Sequence, residues 1–434
     1  MNFNTQKVAI FGLGHIGLPT AAILANNKIN VLGVDVNEDT VNAINQSKVC
    51  FKEPGVEDLL KSAISDGYFK ATCDLRGAAS ECNVMIIIVP TPVDCECNAD
   101  LSYVISACES IKDGLSKGDL VIVESTVPPE TGINVIKPIL EESGLICGED
   151  FLLAYSPERA LPNNTIYEMT HNVRVVGGYN KESSDAAAEL YSNITCGDII
   201  KVKSITSAEM IKLMENTYRD VNIALSNEFA MICENIDVDA QEVISAANYH
   251  PRVNIHTPGA GVGGHCIPVD PYFLIQTAQK YGTKASLIQQ ARNINNMMPQ
   301  HVVDIVEQFK DNDKDNFTVA ILGVAYKGNV DDIRESPSID LIKLLNEKDN
   351  ITTVAHDPYV DSSIIESFNI KAVDYDEALS ADCVIIMCDH DIYRDITPSM
   401  IENKFLISTK PIVDADKFRQ NGVNFQAIGN IKKE

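Results

Sequence analysis

Hydrophobic and polar positions follow three successive patterns along the chain. In the first 200 residues, short apolar runs alternate with stretches of helical spacing; the runs are "KVAIFGLG", "NVLGVDV", "NVMIIIVPTP", "DLVIVESTVPP" and "DFLLAYSPE". Unbroken, β-branched runs of this kind are typical of strands that are buried on both faces of a parallel sheet. The pattern predicts an α/β domain over residues 1–200, with its first helix at 16–26 and its second helix starting at Glu38.

A helical pattern begins near Ser204. The segment "SAEMIKLMENTYRDVNIALSNEFAMICENI" has apolar residues three and four apart without Gly or Pro. This spacing predicts one helix of about 30 residues, or about 45 Å. A Gly/Pro-rich loop follows, and a further helix is predicted from about Lys284 to Lys310. We expect residues 201–311 to form a central helical domain that makes a homodimer, because its long helices carry more apolar surface than one helical layer buries.

An αβ pattern returns near Phe317. The segments "FTVAILGVAYKG", "TTVAHDPYV", "DCVIIMCDHD" and "KPIVDAD" are predicted strands, and "SIDLIKLLNE" is a predicted helix. The acidic segment "DNDKDN" at 311–316 is the predicted linker before this third domain, 312–434. The predicted fold class is therefore α/β, with two Rossmann-like parallel-sheet domains joined by a central helical domain that contains a long helix.

The charge balance excludes several classes of partner. The chain has 35 Lys and Arg against 61 Asp and Glu, a formal net charge of −26, and no run of five basic residues. Nucleic acids and anionic membranes need a basic face, so neither is an expected partner. The longest aliphatic run, "VMIIIV", is far shorter than the roughly 20 residues of a membrane helix. The start "MNFNTQK" does not resemble a secretory signal, and we expect a cytoplasmic protein.

The 12 cysteines contain no CxxC pair, and Cys95 and Cys97 form an isolated CxC. A zinc site needs a second pair of ligands nearby, so we expect no bound metal. One cysteine stands out by its context, because Cys266 ends the glycine-rich segment "GAGVGGHC" and Asp270 lies four residues further on. The glycines permit close backbone approach to a ligand. A cysteine in an exposed glycine loop fits a nucleophile, and the alternative is one more inert thiol.

A glycine-rich turn lies at the end of the first predicted strand. Gly12, Gly14 and Gly17 form GxGxxG, and Asp35 ends the second strand 18 residues after Gly17. In a dinucleotide site such glycines permit a tight turn and close approach to a pyrophosphate, and the acid accepts hydrogen bonds from a ribose. The pattern predicts NAD rather than NADP, since a carboxylate would repel a 2′-phosphate. The alternative is a turn that only serves packing.

Three further pairs of residues are weaker candidates. Lys212 and Asn216 are one turn apart on the long helix, where they could polarise a substrate oxygen or belong to a solvated helix surface. Thr126 and Glu158 follow strand ends, where parallel sheets hold ligands, and either could instead form a turn or a cap. Basic residues in "VAYKGNVDDIRESPS" could hold an anion or form ordinary salt bridges; they are Lys327 and Arg334.

Seven segments in order carry a family resemblance: "GLGHIGLPTA", "VPTP", "ESTVPPETG", "YSPERALP", "AEMIKLMENTYRDVNIALSNE", "HPRVNIHTPGAGVGGHCIPVDP" and "GVAYKGNVDDIRESPS". They resemble the UDP-glucose/GDP-mannose dehydrogenase family over nearly the whole chain. Within it, "SPERALP" resembles the branch that oxidises UDP-N-acetylhexosamines. The UDP-glucose branch typically has an aromatic residue where this chain has Arg159, which disfavours UDP-glucose.

The resemblance implies a four-electron oxidation of a sugar C6 alcohol to a carboxylate with two NAD. Cys266 would attack the intermediate aldehyde to give a thiohemiacetal and then a thioester. Lys212 and Asn216 would stabilise oxyanions, and a cationic lysine near Cys266 would favour its thiolate. Asp270 and Thr126 would position water, and Glu158 would assist proton transfer.

The remaining implied contacts concern binding. The implied cofactor-binding residues are Gly12, Gly14, His15, Ile16, Gly17, Asp35, Thr91, Thr126 and Arg334. The implied substrate-binding residues are Glu158, Arg159, Lys212, Asn216, Arg252, Gly263 and Lys327. Arg252 would meet the sugar or the diphosphate, in its own or in a neighbouring subunit.

The implied substrate is UDP-N-acetyl-D-mannosamine, with UDP-N-acetyl-D-glucosamine and then UDP-glucose as alternatives, and the product would serve surface polysaccharide or glycan synthesis. Two other classes compete. A non-catalytic nucleotide-sugar sensor would not need both Cys266 and Lys212. A two-electron hydroxyacid or 6-phosphogluconate-type dehydrogenase would lack the second αβ domain and the "GGHC" loop.

Overall fold

The computed structural model describes residues 6–94, 96–161, 163–310, 316–402 and 404–431. The chain divides into an N-terminal unit, Met1–Glu215 with Tyr272–Tyr281, and a C-terminal unit, Asn216–Pro271 with Gly282–Glu434. Each unit is built on one sheet. Cys95 of the CxC pair and residues 311–315 of the acidic linker lie outside the described residues. The division into three domains at 1–200, 201–311 and 312–434 stays a prediction.

The sheet of the N-terminal unit has eight described strands. They are Lys7–Phe11 (β1), Asn30–Val34 (β2), Phe69–Thr72 (β3), Val84–Ile87 (β4), Leu120–Val123 (β5), Leu152–Tyr155 (β6), Arg174–Gly178 (β7) and Ile199–Val202 (β8). Their order is β3-β2-β1-β4-β5-β6-β7-β8. Neighbouring strands are parallel except β6 and β7, which pair antiparallel. The parallel strands confirm the sequence pattern, and the antiparallel pair is an addition that the apolar runs did not indicate.

Helices cover both faces of this sheet. They are Gly17–Asn26 (α1), Glu38–Asn45 (α2), Val56–Ser65 (α3), Leu75–Glu81 (α4), Ser102–Lys112 (α5), Lys137–Glu141 (α6), Thr165–His171 (α7) and Lys181–Tyr191 (α8), with a π-helical turn at Gly132–Ile136 before α6. Val8 and Ile10 of β1 belong to one apolar cluster, and Ala9 and Phe11 belong to another. Because alternate residues of a strand point to opposite faces, β1 is buried on both sides, as the unbroken apolar run predicts.

The long helix is present as Ile205–Asn235 (α9), with 31 residues. It is followed by Ala240–Ala247 (α10), Asp270–Lys280 (α11) and Ser286–Phe309 (α12). Both long helices confirm the predicted spans to within two residues. Residues 205–215 of α9 belong to the N-terminal unit and 216–235 to the C-terminal unit. Among the helices of the described ranges, none is long and apolar enough to cross a lipid bilayer.

The sheet of the C-terminal unit has six described strands, all parallel, in the order β11-β10-β9-β12-β13-β14. They are Phe317–Leu322 (β9), Ile351–His356 (β10), Lys371–Ala372 (β11), Cys383–Ile386 (β12), Phe405–Ser408 (β13) and Asn424–Ala427 (β14). The helices are Pro337–Asn346 (α13), Ser362–Glu366 (α14), Tyr375–Leu379 (α15) and Ala415–Gln420 (α16), with 3₁₀ turns at Asp391–Asp395 and Pro398–Met400. The two sheets and the central helices confirm the predicted fold class.

One predicted strand, "KPIVDAD" at 410–416, is wrong. The strand is β13, which ends at Ser408, and the predicted segment forms turns that lead into α16. Pro411 cannot donate a backbone hydrogen bond to a sheet. Asp414 caps α16 instead, because its carboxylate accepts a 3.1 Å hydrogen bond from the Lys417 N–H. The proline and the helix cap therefore determine the local structure, although Ile412 and Val413 between them are apolar.

Candidate active site

The glycine-rich turn lies between β1 and α1 in the N-terminal unit. Gly12 has φ +100°, and a Cβ there would lie 2.1 Å from the Ile88 carbonyl oxygen. A Cβ on Gly17 would lie 1.9 Å from the Gly12 oxygen, so this residue permits the close packing of helix and turn. A Cβ on Gly14 would meet no atom within 4 Å. The turn thus leaves an open space beside Gly14 that a larger residue would fill and a pyrophosphate can occupy.

Asp35 connects this turn to the end of β2. Its Oδ2 accepts a 2.9 Å hydrogen bond from the Leu13 N–H, and its Oδ1 accepts one of 3.0 Å from the Asn37 N–H. An ionised carboxylate has about four acceptor positions, so a ribose can still donate to it. His15 is exposed with its ring 4.3 Å from that of Phe51, and Ile16 precedes the first residue of α1. The glycine-rich turn and the Asp35 carboxylate thus fit the pyrophosphate and a ribose of NAD.

The loops after β4 and β5 are joined by side-chain hydrogen bonds. The Thr91 hydroxyl donates to the Thr126 carbonyl oxygen at 2.6 Å. The Ser125 hydroxyl oxygen accepts from the Val89 N–H at 2.8 Å. Both threonines are half-buried and lie at the carboxyl ends of neighbouring strands. This is the edge of a parallel sheet where nucleotides bind, and the predicted cofactor residues Thr91 and Thr126 meet there.

A buried ion pair lies beneath these loops. Glu124 Oε1 accepts hydrogen bonds from Arg174 Nη2 at 3.0 Å and from the Tyr191 hydroxyl at 2.5 Å. The Arg174 guanidinium also lies 3.9 Å from the Tyr191 ring centre and donates to the Ser156 hydroxyl at 3.3 Å. Burial raises the pKa of Glu124, and the charge of Arg174 opposes that rise. The pair fixes the ends of β5 and β6, which carry Thr126 and the segment before Glu158.

Glu158 and Lys212 are in contact within the N-terminal unit. Lys212 Nζ donates a 2.5 Å hydrogen bond to the backbone oxygen of Glu158, and both oxygens of the Glu158 carboxylate accept from the Ala160 N–H. Lys212 is only 9% exposed, so the solvated-surface interpretation of this residue is wrong. Arg159 forms an ion pair with Glu215, at 2.7 Å between Nη2 and Oε1.

In the C-terminal unit, Asn216, Asp270 and Cys266 form a second group. Asn216 Nδ2 donates a 2.5 Å hydrogen bond to Asp270 Oδ2, and the side-chain oxygen Oδ1 of Asn216 accepts one from the Arg219 guanidinium. Asn216 and Asp270 are 1% and 2% exposed. The Cys266 carbonyl oxygen accepts from the Asp270 N–H at 2.9 Å, so one turn of chain joins the thiol-bearing residue to the carboxylate. Asn216 is therefore also buried rather than solvated.

The glycines before Cys266 serve packing against the β9–α13 loop. A Cβ on Gly263 would lie 2.7 Å from the Tyr326 Cβ. Gly264 has φ +93°, and a Cβ there would lie 2.9 Å from the Tyr326 ring. The Gly264 N–H donates a 3.0 Å hydrogen bond to the Arg334 carbonyl oxygen. In the structure these glycines admit the protein's own side chains and backbone, and the implied contact of Gly263 with the substrate stays a prediction.

The β9–α13 loop carries Arg334 and Lys327. The Arg334 guanidinium pairs with Asp332, at 2.6 Å between Nη2 and Oδ2. Burial would raise the pKa of Asp332, but the hydrogen bonds from Arg334 outweigh it and keep the pKa below its ordinary value. Lys327 is half-buried, and Arg252 is exposed in a turn after α10. The structure thus confirms a salt bridge of Arg334. A role of Arg334 toward the cofactor stays a prediction.

A buried histidine supports the loop at Lys327. His390 Nδ1 accepts a 2.9 Å hydrogen bond from the Asn329 N–H, and His390 Nε2 lies 3.1 Å from Asp357 Oδ2. Burial would raise the pKa of Asp357, but hydrogen bonds from His390 and from backbone N–H groups lower it to about 2. Neither residue was singled out in the sequence, because an isolated His and Asp over 30 positions apart give no local signal.

One further residue was missed although it stands beside the candidate nucleophile. His265 Nδ1 lies 2.8 Å from Cys266 Sγ. The adjacency in "GGHC" was visible, but adjacent side chains usually diverge, and only the loop geometry shows that these two meet. Across the described ranges, no group of three His, Cys, Asp or Glu side chains is arranged to hold a metal ion.

Comparisons with known proteins identify the family. Three domain models of one family match in order: the NAD binding domain at 6–195, the central domain at 206–297 and the UDP binding domain at 320–420 of the UDP-glucose/GDP-mannose dehydrogenase family. A UDP-N-acetyl-D-mannosamine dehydrogenase of Methanococcus maripaludis is 39% identical over 442 residues, which cover 99% of this chain and 98% of that protein.

Two other relatives are also named as dehydrogenases of nucleotide-sugars. An NDP-N-acetyl-D-galactosaminuronic acid dehydrogenase of Ralstonia nicotianae is 36% identical, with 96% of this chain and 98% of that protein covered. The solved UDP-D-ManNAc dehydrogenase of Pyrococcus horikoshii superposes with a TM-score of 0.89 at 35% identity, over 98% of this chain and 99% of that one.

A dinucleotide-binding unit and a second parallel-sheet unit with a cysteine loop define an NAD-dependent dehydrogenase of nucleotide-sugars. The chain belongs to the UDP-glucose/GDP-mannose dehydrogenase family. Its cofactor is NAD, and its substrate is a nucleotide-sugar.

Proposed function

We propose that this protein oxidises UDP-N-acetyl-D-mannosamine at C6 to UDP-N-acetyl-D-mannosaminuronate. One sugar, two NAD⁺ and one water give one carboxylate, two NADH and three protons. The observation that carries the chemistry is the position of Cys266 one turn of chain before the buried Asp270–Asn216 pair. Relatives named as UDP-N-acetyl-D-mannosamine dehydrogenases align over almost the full chain, and they support mannosamine as the sugar.

The first oxidation needs a group that takes the C6 hydroxyl proton and donors that stabilise the resulting oxygen. NAD, when bound, supplies the hydride acceptor. We assign oxyanion stabilisation to Lys212 and Asn216. An amide NH₂ has two N–H groups, and Asp270 accepts one of them, which fixes the direction of the other. Buried, preoriented donors stabilise developing charge better than water does.

The second oxidation proceeds on the sulfur of Cys266. The thiolate adds to the aldehyde carbon, and the adduct is a thiohemiacetal, which can release hydride where a free aldehyde cannot. Its oxidation gives a thioester. In this proposal Thr126 and Asp270 position the water that attacks the thioester, and Glu158 moves the proton. The bond between sulfur and carbon then breaks, and the thiol is restored with the carboxylate as product.

The cations that hold the two diphosphates are few. We assign Lys327 to the nucleotide-sugar, Arg252 to the sugar or its diphosphate from its own or a neighbouring subunit, and Arg334 to the cofactor. Arg159 and Gly263 complete the substrate contacts. The ion pair of Arg159 with Glu215 orients its guanidinium, and the packing of Gly263 on Tyr326 holds the nucleophile loop against the β9–α13 loop. Against a net charge of −26, these placed cations carry the anion binding.

The substrate assignment is tested with a panel of UDP-sugars. UDP-N-acetyl-D-mannosamine, UDP-N-acetyl-D-glucosamine, UDP-N-acetyl-D-galactosamine and UDP-glucose are each incubated with enzyme and NAD, and NADH is followed at 340 nm. We expect kcat/KM for the mannosamine sugar to exceed the others by at least about 10-fold. A higher kcat/KM for the glucosamine epimer or for UDP-glucose would replace the proposed substrate by that sugar.

We also propose a homodimer formed through α9. Apolar side chains along this helix are exposed at positions four and seven residues apart: Met214, Tyr218, Leu225 and Ile232. Such spacing places them on one stripe, as in helix pairs that bury a seam. Light scattering coupled to size-exclusion chromatography should give twice the mass of 47.5 kDa. Leu225→Glu should shift the mass toward the monomer, and a monomeric wild-type protein would refute the dimer.

A further inference from the structure

The nucleophile loop brings an imidazole to the reacting sulfur. His265 Nδ1 and Cys266 Sγ are 2.8 Å apart, within hydrogen-bond distance. Cys266 is half-buried and His265 is exposed, so solvent reaches the imidazole while the sulfur is partly sheltered. At this distance a proton can be shared between the two atoms. Either the thiol donates it to a neutral imidazole, or an imidazolium donates it to the thiolate, and these are the two states of a proton transfer.

The backbone holds this pair in place. The Gly264 N–H bond to the Arg334 carbonyl oxygen and the close approach of Gly264 to the Tyr326 ring fix the chain just before His265. On the other side, the Cys266 carbonyl oxygen accepts from the Asp270 N–H at the start of α11. Two residues anchored on both sides have little freedom to separate, so the contact between their side chains is a property of the loop.

The charged groups around the pair come from two elements. The β9–α13 loop contributes Asp332, Arg334 and Tyr326, and α11 contributes Asp270. His265 is close enough to Asp332 for its positive charge to be one of the lesser causes that lower the pKa of that carboxyl, after burial and the Arg334 contacts. Burial is the largest cause that raises the pKa of Tyr326, followed by the negative charges of Asp332 and Cys266. A carboxylate near an imidazole favours its protonated form.

We propose that His265 is a catalytic residue of the reaction proposed above, the base that takes the Cys266 thiol proton. The S–H bond breaks, the proton passes to His265 Nδ1, and the sulfur keeps the electron pair. That pair forms the bond to the aldehyde carbon, and the carbonyl oxygen takes a proton to complete the thiohemiacetal. His265 returns to the neutral form by giving up its proton, either to this oxygen or to water. No oxidant beyond NAD is required.

The family resemblance implies a lysine as the group that activates the thiol, whereas the structure has the His265 imidazole beside the sulfur. Lys212 donates its hydrogen bond to the Glu158 backbone oxygen within the N-terminal unit. A lysine acts as a fixed positive charge at neutral pH, whereas an imidazole gains and loses its proton near neutrality. The two activators therefore predict different dependence of Cys266 reactivity on pH.

The test measures the thiol itself, without NAD or sugar, and so does not depend on which substrate is correct. Iodoacetamide alkylation rates of Cys266 are measured from about pH 5 to about pH 9 by mass spectrometry of its peptide, with the exposed Cys50 as internal reference. We expect wild-type Cys266 to react at least about 10-fold faster than Cys50 near pH 6.5, because the imidazolium stabilises its thiolate. His265→Asn should remove this advantage and move the midpoint of the profile upward.

Two variants serve as comparisons. His171→Asn, on the exposed surface of α7, should leave Cys266 alkylation unchanged. Lys212→Met should change it less than His265→Asn does. NADH binding, followed by the fluorescence of its reduced nicotinamide, reports folding of each variant, and His265→Gln replaces the asparagine variant if that one does not fold.

The outcomes separate the inference from the proposed function. Unchanged alkylation in His265→Asn, or a larger effect of Lys212→Met, overturns the role of His265, whichever sugar is oxidised. Normal acid formation by His265→Asn overturns it as well, even if alkylation falls. Loss of alkylation together with at least about a 10-fold loss of acid formation supports it. If wild-type enzyme oxidises none of the UDP-sugars, the proposed function fails while the alkylation profile still reports the thiol–imidazole pair.

Discussion

The side-chain amide of Asn216 donates a 2.5 Å hydrogen bond to Asp270 Oδ2, and both side chains are almost fully buried. Asn216 lies in the middle of α9, and Asp270 is the first residue of α11. A buried carboxylate and amide 54 positions apart that satisfy one another are rarely needed for packing alone, since an apolar pair would be less costly to bury. The pair positions polar groups next to the loop that presents Cys266.

Replacement of Asn216 by Ala tests this relationship. The change removes one proposed oxyanion donor and one hydrogen bond to Asp270. We expect kcat to fall by roughly 10²- to 10³-fold. The dissociation constant for NAD should not change, since the predicted cofactor turn is in the other unit. Asp304→Asn, at an exposed position on α12 in the same unit, is the control. A loss of NAD affinity equal to the loss of kcat would point to misfolding and contradict the oxyanion role.

Asp35 should set both the affinity for the cofactor and the choice between NAD and NADP. Asp35→Ala removes the acceptor for ribose hydroxyls and should weaken NAD binding by about 10- to 100-fold, the effect of losing hydrogen bonds to a charged group. Because the carboxylate also accepts from the Leu13 and Asn37 N–H groups, Asp35→Asn is measured beside it. In both variants the preference for NAD over NADP should narrow, because the repulsion of a 2′-phosphate is gone. Unchanged NAD affinity and an unchanged ratio would place the ribose contact elsewhere.

We expect Glu209 to make the stability of the N-terminal unit depend on pH. It is fully buried and accepts 2.7 Å hydrogen bonds from the Glu130 and Gly132 N–H groups. Burial raises the pKa of Glu209 from 4.5 to about 7, and these backbone bonds oppose the rise. Between these two values the folded protein holds a proton that the unfolded chain releases. The stability contribution of protonated Glu209 is therefore complete below about pH 4.5. This contribution, on the order of 3 kcal/mol, is lost as the pH rises to 7.

Glu209→Gln cannot titrate and should remove this dependence. We expect the difference in Tm between pH 5 and pH 7, measured by scanning calorimetry, to be smaller in the variant than in the wild type. The exposed Glu182→Gln should behave like the wild type. The same difference in Tm for Glu209→Gln and wild type would mean that Glu209 is ionised in the folded protein at pH 5.

The sequence predicts the fold well where apolar runs are long and uninterrupted. α9 and strands such as β4 and β9 lie where the pattern puts them, because burial on both faces leaves a clear signal. The pattern fails at 410–416, where Ile412 and Val413 suggest a strand but Pro411 and the capping Asp414 decide the structure. It also gives no indication that β7 pairs antiparallel with β6, since pairing depends on contacts that are distant in sequence.

The sequence predicts which residues belong to the candidate site, but it does not predict the contacts that they make. Spacing puts Lys212 and Asn216 on one helix stripe, yet only the packed structure shows that both are buried. The glycines of the Cys266 loop predict close approach, and the structure shows that Tyr326 is what approaches. His265 is adjacent to Cys266 in the sequence, but its contact with the sulfur depends on backbone angles that no pattern of residue types encodes.

The most direct test of the account is the number of NADH molecules formed per UDP-N-acetyl-D-mannosamine at complete conversion, with the uronic acid quantified in parallel. The proposed mechanism predicts two NADH and one carboxylate per sugar for the wild-type enzyme. Cys266→Ser should form no carboxylate while binding NAD normally, because an alcohol side chain is a far weaker nucleophile than a thiolate. One NADH per sugar, or near-normal acid formation by Cys266→Ser, would contradict a four-electron oxidation through this cysteine.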